Sequence, residues 1–191
     1  HICEKFFKQG YTPVTFDNLL LGNKWSVKWG PLEIGDLLDK DRLNELFQKY
    51  SFEGVIHLAA LSNVEKSYTE PTLYYENNVH GSLNLLEQMT EFNVNKLVFS
   101  STAAVYGKPE YTPIDENHPK NPVNCYGDTK MAVEKLIYNI ANASNLNFIS
   151  LRYFNVSGSN YRSKIGEAHD PESHIIPLAL EAAQKNTHFK I

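Results

Sequence analysis

Tyr126 and Lys130 stand four residues apart in the run Tyr126-Gly127-Asp128-Thr129-Lys130. On a helix that spacing puts both side chains on one face. An ammonium beside a phenol favours the phenolate and lowers its pKa. A free tyrosine ionises near ~10, so a base working at neutral pH needs a shift of about three units, or about 4 kcal/mol. One lysine in a wet site supplies only part of that, and a second positive charge would have to supply the rest. The chain holds 11 tyrosines in 191 residues, so the pair alone fits the exposed side of an amphipathic helix equally well. Its context is more specific. Ser100-Ser101-Thr102 closes an apolar run upstream. A hydroxyl there can share a hydrogen bond with a substrate oxygen that is losing its proton. The same hydroxyl could instead cap a helix or turn.

Apolar runs of strand length alternate with helix-like segments along the chain. Residues 11–16, 32–34, 54–60, 96–99 and 148–151 read as strands. Residues 2–9, 40–49, 71–92, 123–143 and 173–185 read as helices, the first stopped by Gly10 as its C-terminal cap. Within 71–92, Leu83, Leu85, Leu86 and Met89 supply much of an apolar stripe. Such alternation predicts an α/β fold, a doubly wound parallel sheet of Rossmann type. Ligands of these folds sit outside the carboxyl ends of the strands. The residues that follow each strand therefore matter: Asp17-Asn18, Asp36-Leu37, Ala59-Ala60, Ser101-Thr102 and Tyr153-Phe154-Asn155. An acid at Asp17 would bond adenosine ribose hydroxyls and repel a 2′-phosphate, favouring NAD over NADP. Asp17 could also simply turn the loop together with Asn18.

Composition narrows the classes. Net charge is −4, with 42% hydrophobic and 21% charged residues. That balance suits a globular domain and argues against a nucleic-acid partner. No apolar run approaches the ~20 residues of a membrane span. Two cysteines, Cys3 and Cys125, are too few for a disulfide framework and fit a reducing cytoplasm. Cys125 has no histidine near it in sequence and reads as a small packing residue. His57 lies in an apolar run and reads as a core residue. His169 and His174 fall in a polar loop and read as solvated or capping groups, so no metal site is expected.

The chain as a whole resembles the extended short-chain dehydrogenase/reductase family, on motifs that follow one another in order. They are Phe16-Asp17-Asn18-Leu19, Val55-Ile56-His57-Leu58-Ala59-Ala60, Tyr74-Tyr75-Glu76-Asn77-Asn78-Val79, Phe99-Ser100-Ser101-Thr102-Ala103-Ala104-Val105-Tyr106-Gly107, Tyr126-Gly127-Asp128-Thr129-Lys130 and Leu151-Arg152-Tyr153-Phe154-Asn155. The resemblance implies a catalytic set of Tyr126 as base, Lys130 as its partner and Thr102 as the hydroxyl that orients substrate. It implies NAD contacts at Asp17, Asn18, Asp36, Leu37, Leu58, Ala59, Ala60, Asn77, Tyr126, Lys130, Tyr153 and Phe154. It implies that Thr102, Tyr126, Asn155, His174 and Ile175 hold a nucleotide sugar. By the same resemblance, residues 1–155 form an NAD-binding Rossmann-like domain and 156–191 begin a substrate-binding region. A first strand and a glycine-rich phosphate loop would precede His1, so the chain is expected to be cut at both ends and to bind NAD poorly alone.

The activity implied is NAD-dependent 4-epimerisation of a UDP-hexose through a transient 4-keto sugar, in a cytoplasmic homodimer. Related dehydratases carry Asp-Glu after the threonine. Here Ala103-Ala104 follows Thr102, which removes the acid and base that elimination needs. Three features depart from many relatives. Ser62 stands where a lysine is common, Ser173-His174-Ile175-Ile176-Pro177 replaces an Asn-rich stretch, and the glycine-rich loop is absent from the chain. Two alternatives stay open at this point: an epimerase of UDP-N-acetylhexosamines or UDP-uronic acids, and a non-catalytic NAD-binding protein on the same fold.

Overall fold

The computed structural model describes residues 1–169, 172 and 174–188. They divide into two compact units, one of residues 1–33 with 155–191 and one of residues 34–154.

The second unit carries a three-stranded parallel sheet in the order β3-β4-β5. Its strands are β3 (Val55–His57), β4 (Lys96–Thr102) and β5 (Asn147–Tyr153). Parallel neighbours need long crossovers, and helices provide them here. Between β3 and β4 run α3 (Val64–Thr69), α4 (Pro71–Tyr74), a π-helical stretch (Tyr75–His80) and α5 (Gly81–Glu91); α6 (Cys125–Ala143) lies between β4 and β5. β4 is central, its Phe99 facing His57 on one side and Ser150 on the other. Its register with β5 runs out to Thr102 beside Tyr153. This is the Rossmann-like α/β architecture expected from the sequence.

The core forms where the apolar stripes converge. Leu43, Leu46 and Phe47 of α2 (Lys40–Lys49), Leu85, Leu86 and Met89 of α5, Leu97 and Phe99 of β4, and Val133 and Ile137 of α6 are all buried. Each such side chain contributes about 1.5–3 kcal/mol by leaving water. Phe47 meets Phe52 and Phe92 at ring-centroid distances of 5.2 and 5.7 Å.

The first unit holds α1 (Ile2–Lys8) and the paired strands β1 (Thr15–Asp17) and β2 (Leu32–Ile34), whose last residue lies at the unit boundary. It also holds α7 (Ile175–Lys185). Polar contacts close it on itself. Glu4 accepts from Lys8 Nζ at 2.6 Å, Asn160 Nδ2 at 3.0 Å and Ser163 Oγ at 2.6 Å. Lys28 Nζ donates to the carbonyls of Ser163 and Lys164.

Several boundaries differ from expectation for local reasons. The run 11–16 yields only β1, because Tyr11 N–H bonds back to Phe6 O at 3.1 Å and Pro13 has no N–H to give. The run 54–60 leaves the sheet after His57; the Leu61 backbone bonds to the Asn78 side chain instead. The segment 71–92 is helical through to Glu91, but Tyr75–His80 is wound as π-helix. Helix α3 was not foreseen, since it lacks an apolar stripe and rests on the cap from Asn63 to Lys66 N–H at 2.9 Å. The expected start of the last helix, Ser173, lies outside the described residues.

Candidate active site

Two elements set the centre of the site: the end of β4 and the start of α6. Asn124 caps α6, its side chain accepting from Gly127 N–H at 2.8 Å. The helix approaches the 3₁₀ turn Ala103–Tyr106 closely at Gly127. A Cβ there would sit 2.7 Å from Ala104 O, so the residue after Tyr126 has to lack one.

Thr102 caps the turn that follows β4. Its Oγ1 accepts from Ala104 N–H at 3.2 Å, capping the 3₁₀ turn. The same hydroxyl acts on the Tyr126 phenol and pulls its pKa down. With the Ala104 N–H occupying an acceptor site, its own proton is the one available to the phenol oxygen. Burial pushes the Tyr126 pKa up, and the bond from Thr102 pulls against that rise. The phenol is net raised, so the chain's own groups do not make it a base; a further positive charge is required.

Lys130 is 3% exposed. Its Nζ donates to Ser100 O at 2.8 Å and sits 4.9 Å from the Phe99 ring centroid and 6.0 Å from that of Tyr126. Burial lowers its pKa to about 8, so it is still mostly an ammonium at neutral pH. The ammonium has three donors, and among the described residues one is used. A buried cation with donors to spare is suited to a ligand bearing hydroxyls.

Behind these groups lies a network that sequence reasoning missed. Asn78 Nδ2 donates to Thr129 Oγ1 at 3.1 Å and to Leu61 O at 3.0 Å, while its Oδ1 accepts from Leu61 N–H at 2.8 Å. Thr129 in turn donates to Tyr126 O at 2.8 Å. Asn78 thereby ties the loop after β3 to the helix of Tyr126. His57 is buried as expected, with Nε2 at 2.7 Å from Ser82 Oγ. Burial, then the charge of Lys130, lowers its pKa to about 3, so it is neutral. A second missed group is Glu134, which accepts from Ser101 Oγ at 2.6 Å and from Arg152 Nε and Nη2 at 2.8 and 2.9 Å. The only sequence signal for it is its place four residues beyond Lys130.

The remaining expected residues fall in two groups. Within the unit of residues 34–154, Leu58, Ala59 and Ala60 follow β3, Tyr153 ends β5 beside Thr102, and Phe154 follows it. Leu58, Tyr153 and Phe154 expose apolar surface, from 39% to 65%. Asn77 lies in the π-helical stretch next to Asn78. Asp36 accepts from Leu38 N–H at 2.9 Å, and Leu37 O accepts from buried Asn84 at 2.9 Å. In the other unit, Asp17 turns the loop after β1 by accepting from Leu19 N–H at 2.7 Å, and Asn18 accepts from Leu20 N–H at 3.0 Å. Asn155, His174 and Ile175 are exposed there.

Cys125 is a poor nucleophile, its thiol pushed up by burial and then by Asp128. Glu167, His169, Glu172 and His174 place donor atoms within 4.8 Å of one another. His169 and His174 contact Glu167, and His169 also Glu172, and both imidazoles are about half exposed, so the four groups form a surface cluster of a type that could hold a metal ion. No helix among the described residues is long and apolar enough to cross a membrane.

Comparison with known proteins gives one consistent result. The sequence model of the NAD dependent epimerase/dehydratase family matches residues 1–191. The chain is 44% identical to UDP-glucose 4-epimerase of Rhizobium leguminosarum bv. trifolii over 183 residues, 96% of this chain and 56% of that protein. It is likewise 44% identical to UDP-glucose 4-epimerase of Halalkalibacterium halodurans, over 96% of this chain and 55% of that protein. The crystal structure of UDP-glucose 4-epimerase from Brucella ovis in complex with NAD superposes with a TM-score of 0.93 at 42% identity, covering 96% of this chain and 57% of that one. The chain thus spans just over half the length of the curated relatives it matches.

Proposed function

The chain belongs to the NAD dependent epimerase/dehydratase family, and we propose on that premise that the complete protein is an NAD-dependent 4-epimerase that interconverts UDP-glucose and UDP-galactose. The observation that carries the proposal is the convergence of Thr102, Tyr126 and Lys130 on one strand end, with Ala103-Ala104 where a dehydratase needs an acid and a base.

The donor set fits NAD. The exposed faces of Leu58, Tyr153 and Phe154 suit a flat ring, and the spare donors of buried Lys130 suit ribose hydroxyls. When bound, NAD would accept and return the hydrogen of sugar carbon 4 and would add positive charge beside Tyr126. Tyr126 takes the proton of the sugar 4-hydroxyl and later gives it back. Thr102 donates to the same region and keeps the reacting oxygen in register with the phenol. Lys130 holds its ammonium at the strand end through Ser100 O, favouring the phenolate as proton transfer proceeds. Asp17, Asn18, Asp36, Leu37, Leu58, Ala59, Ala60, Asn77, Tyr153 and Phe154 form the cofactor side. Asn155, His174 and Ile175 contact the nucleotide sugar, whose 4-keto form must turn over before the hydrogen returns to its other face.

The protein acts as a homodimer in the cytoplasm. Support for the first is the apolar groove of Thr72, Tyr75, Val79, Leu83 and Leu136 along the helices between β3 and β4 and on α6. Support for the second is that both cysteines are free thiols. Net negative charge supports a small nucleotide ligand over a nucleic acid. The test is turnover of UDP-galactose to UDP-glucose by the full-length protein and its Tyr126→Phe variant. Loss of about 10²–10⁴-fold in turnover is expected; near-normal turnover by the variant refutes the assignment.

A further inference from the structure

The end of β4 and α6 are joined at three successive levels. Thr102 acts on the Tyr126 phenol and lowers its pKa, Ser100 O accepts from Lys130, and the Ser101 hydroxyl donates to Glu134. The helix residues are i, i+4 and i+8, one stripe on three consecutive turns. The first two levels carry the candidate chemistry. The third touches neither ligand nor reacting atoms, yet it is the most heavily bonded of the three. Glu134 is 7% exposed and takes a two-pronged bond from Arg152, one from Ser101 and a weaker one from Lys120 Nζ at 3.3 Å.

We infer that Glu134 is a positioning residue for the epimerisation chemistry, locking the strand end that presents Thr102 to the helix that presents Tyr126 and Lys130. This rests on the assignment of Tyr126 as base. Arg152 extends the lock to β5, since it immediately precedes Tyr153, the register partner of Thr102. It also reaches Tyr106 OH at 2.8 Å and so holds the far end of the 3₁₀ turn that Thr102 caps. Glu134 thus bonds Ser101 directly, and through Arg152 it reaches β5 and the Tyr106 side chain at the end of the 3₁₀ turn. Burial alone would raise its carboxyl pKa, but bonds from Arg152 and Ser101 and the nearby positive charges hold it below the usual range. The lock stays charged at neutral pH.

The geometry gives a sign that separates positioning from simple electrostatics. Tyr126 is faced by Thr102 from β4, by Lys130 from its own helix and by Tyr74 from α4. Glu134→Gln removes a negative charge, and that alone would lower the phenol pKa slightly. If the carboxylate instead keeps Thr102 donating to the phenol, its loss weakens that bond and raises the phenol pKa. The experiment compares full-length wild type, Glu134→Gln and Ser101→Ala, the last removing one arm of the lock with little risk to folding. Phenolate absorbance is titrated for each, with the matching Tyr126→Phe variant subtracted to isolate Tyr126. Turnover is measured on UDP-galactose well below the unfolding temperature. The inference expects kcat to fall about 10–100-fold in Glu134→Gln with KM little changed, because positioning rather than binding is lost. It expects the Tyr126 titration to move to higher pH, and Ser101→Ala to move both readouts the same way by less. Unchanged or lowered Tyr126 titration with wild-type kcat, and only a drop in melting temperature, overturns it. The failure of the functional assignment reads differently: there Tyr126→Phe itself keeps turnover.

Discussion

The strand end at Thr102 and the segment around His174 are both expected to meet the ligand, and they are built in opposite ways. Tyr126, Lys130 and Thr102 are fixed by bonds to backbone and to buried side chains, with Lys130 3% exposed. Asn155, His174 and Ile175 are exposed, and His174 contacts nearby Glu167, Glu172 and His169. Groups that move a proton must be held to fractions of an ångström before substrate arrives. Groups that recognise a sugar nucleotide can be drawn from loops carried on a rigid scaffold. The difference predicts that substitutions at the first place cost stability and chemistry together, and at the second binding alone.

The sharpest way to break the contrast is at the lock behind the site. Arg152→Met leaves Glu134 buried with only Ser101 and Lys120 as partners, and about 3 kcal/mol of stability should be lost. Urea unfolding of the full-length protein checks this, and an unchanged midpoint would show the pair to be dispensable. Gly127→Ala should cost about 1–3 kcal/mol, because the new methyl group meets Ala104 O and Pro122. Turnover should fall with it as the helix of Tyr126 is pushed from the strand.

Acid unfolding probes the same unit more gently. The folded pKa of His57 is lowered to about 3, below its ordinary 6.5. The unfolded chain therefore binds the extra proton between those values, and the folded form is favoured by neutral His57. That stability is complete above about 6.5 and is lost progressively as pH falls towards 3. His57→Gln should flatten the dependence in that window, measured by the unfolding midpoint across pH. The smallest structural effect is expected at His174→Ala: stability within about 0.5 kcal/mol of wild type, as for an exposed residue. Its KM for UDP-galactose should rise while kcat holds, and a fall in kcat alone would place His174 with the chemistry instead.

The sequence showed the parallel α/β order because apolar runs and helical periods are local properties. It also located Thr102, Tyr126 and Lys130 on a strand end and a helix start. It could not show Glu134 or Arg152, since their meaning lies in a contact across 18 residues that no spacing rule marks. Asn78 stayed hidden for the same reason, and because its neighbour Asn77 drew the cofactor role. Helix α3 has a cap but no stripe, so periodicity passed over it. The expectation that Lys130 supplies only part of the shift and that a second positive charge is needed could not include burial, which raises the Tyr126 pKa in the structure and which Thr102 offsets only in part.

The most direct measurement is the ultraviolet absorbance of the nicotinamide bound to the full-length protein as UDP-galactose is added. Wild type should show transient reduction of the bound ring, and Tyr126→Phe should show it at least about 10²-fold more slowly. Reduction at the wild-type rate in Tyr126→Phe would contradict the assignment of Tyr126 as the base, and with it the role given to the strand end at Thr102.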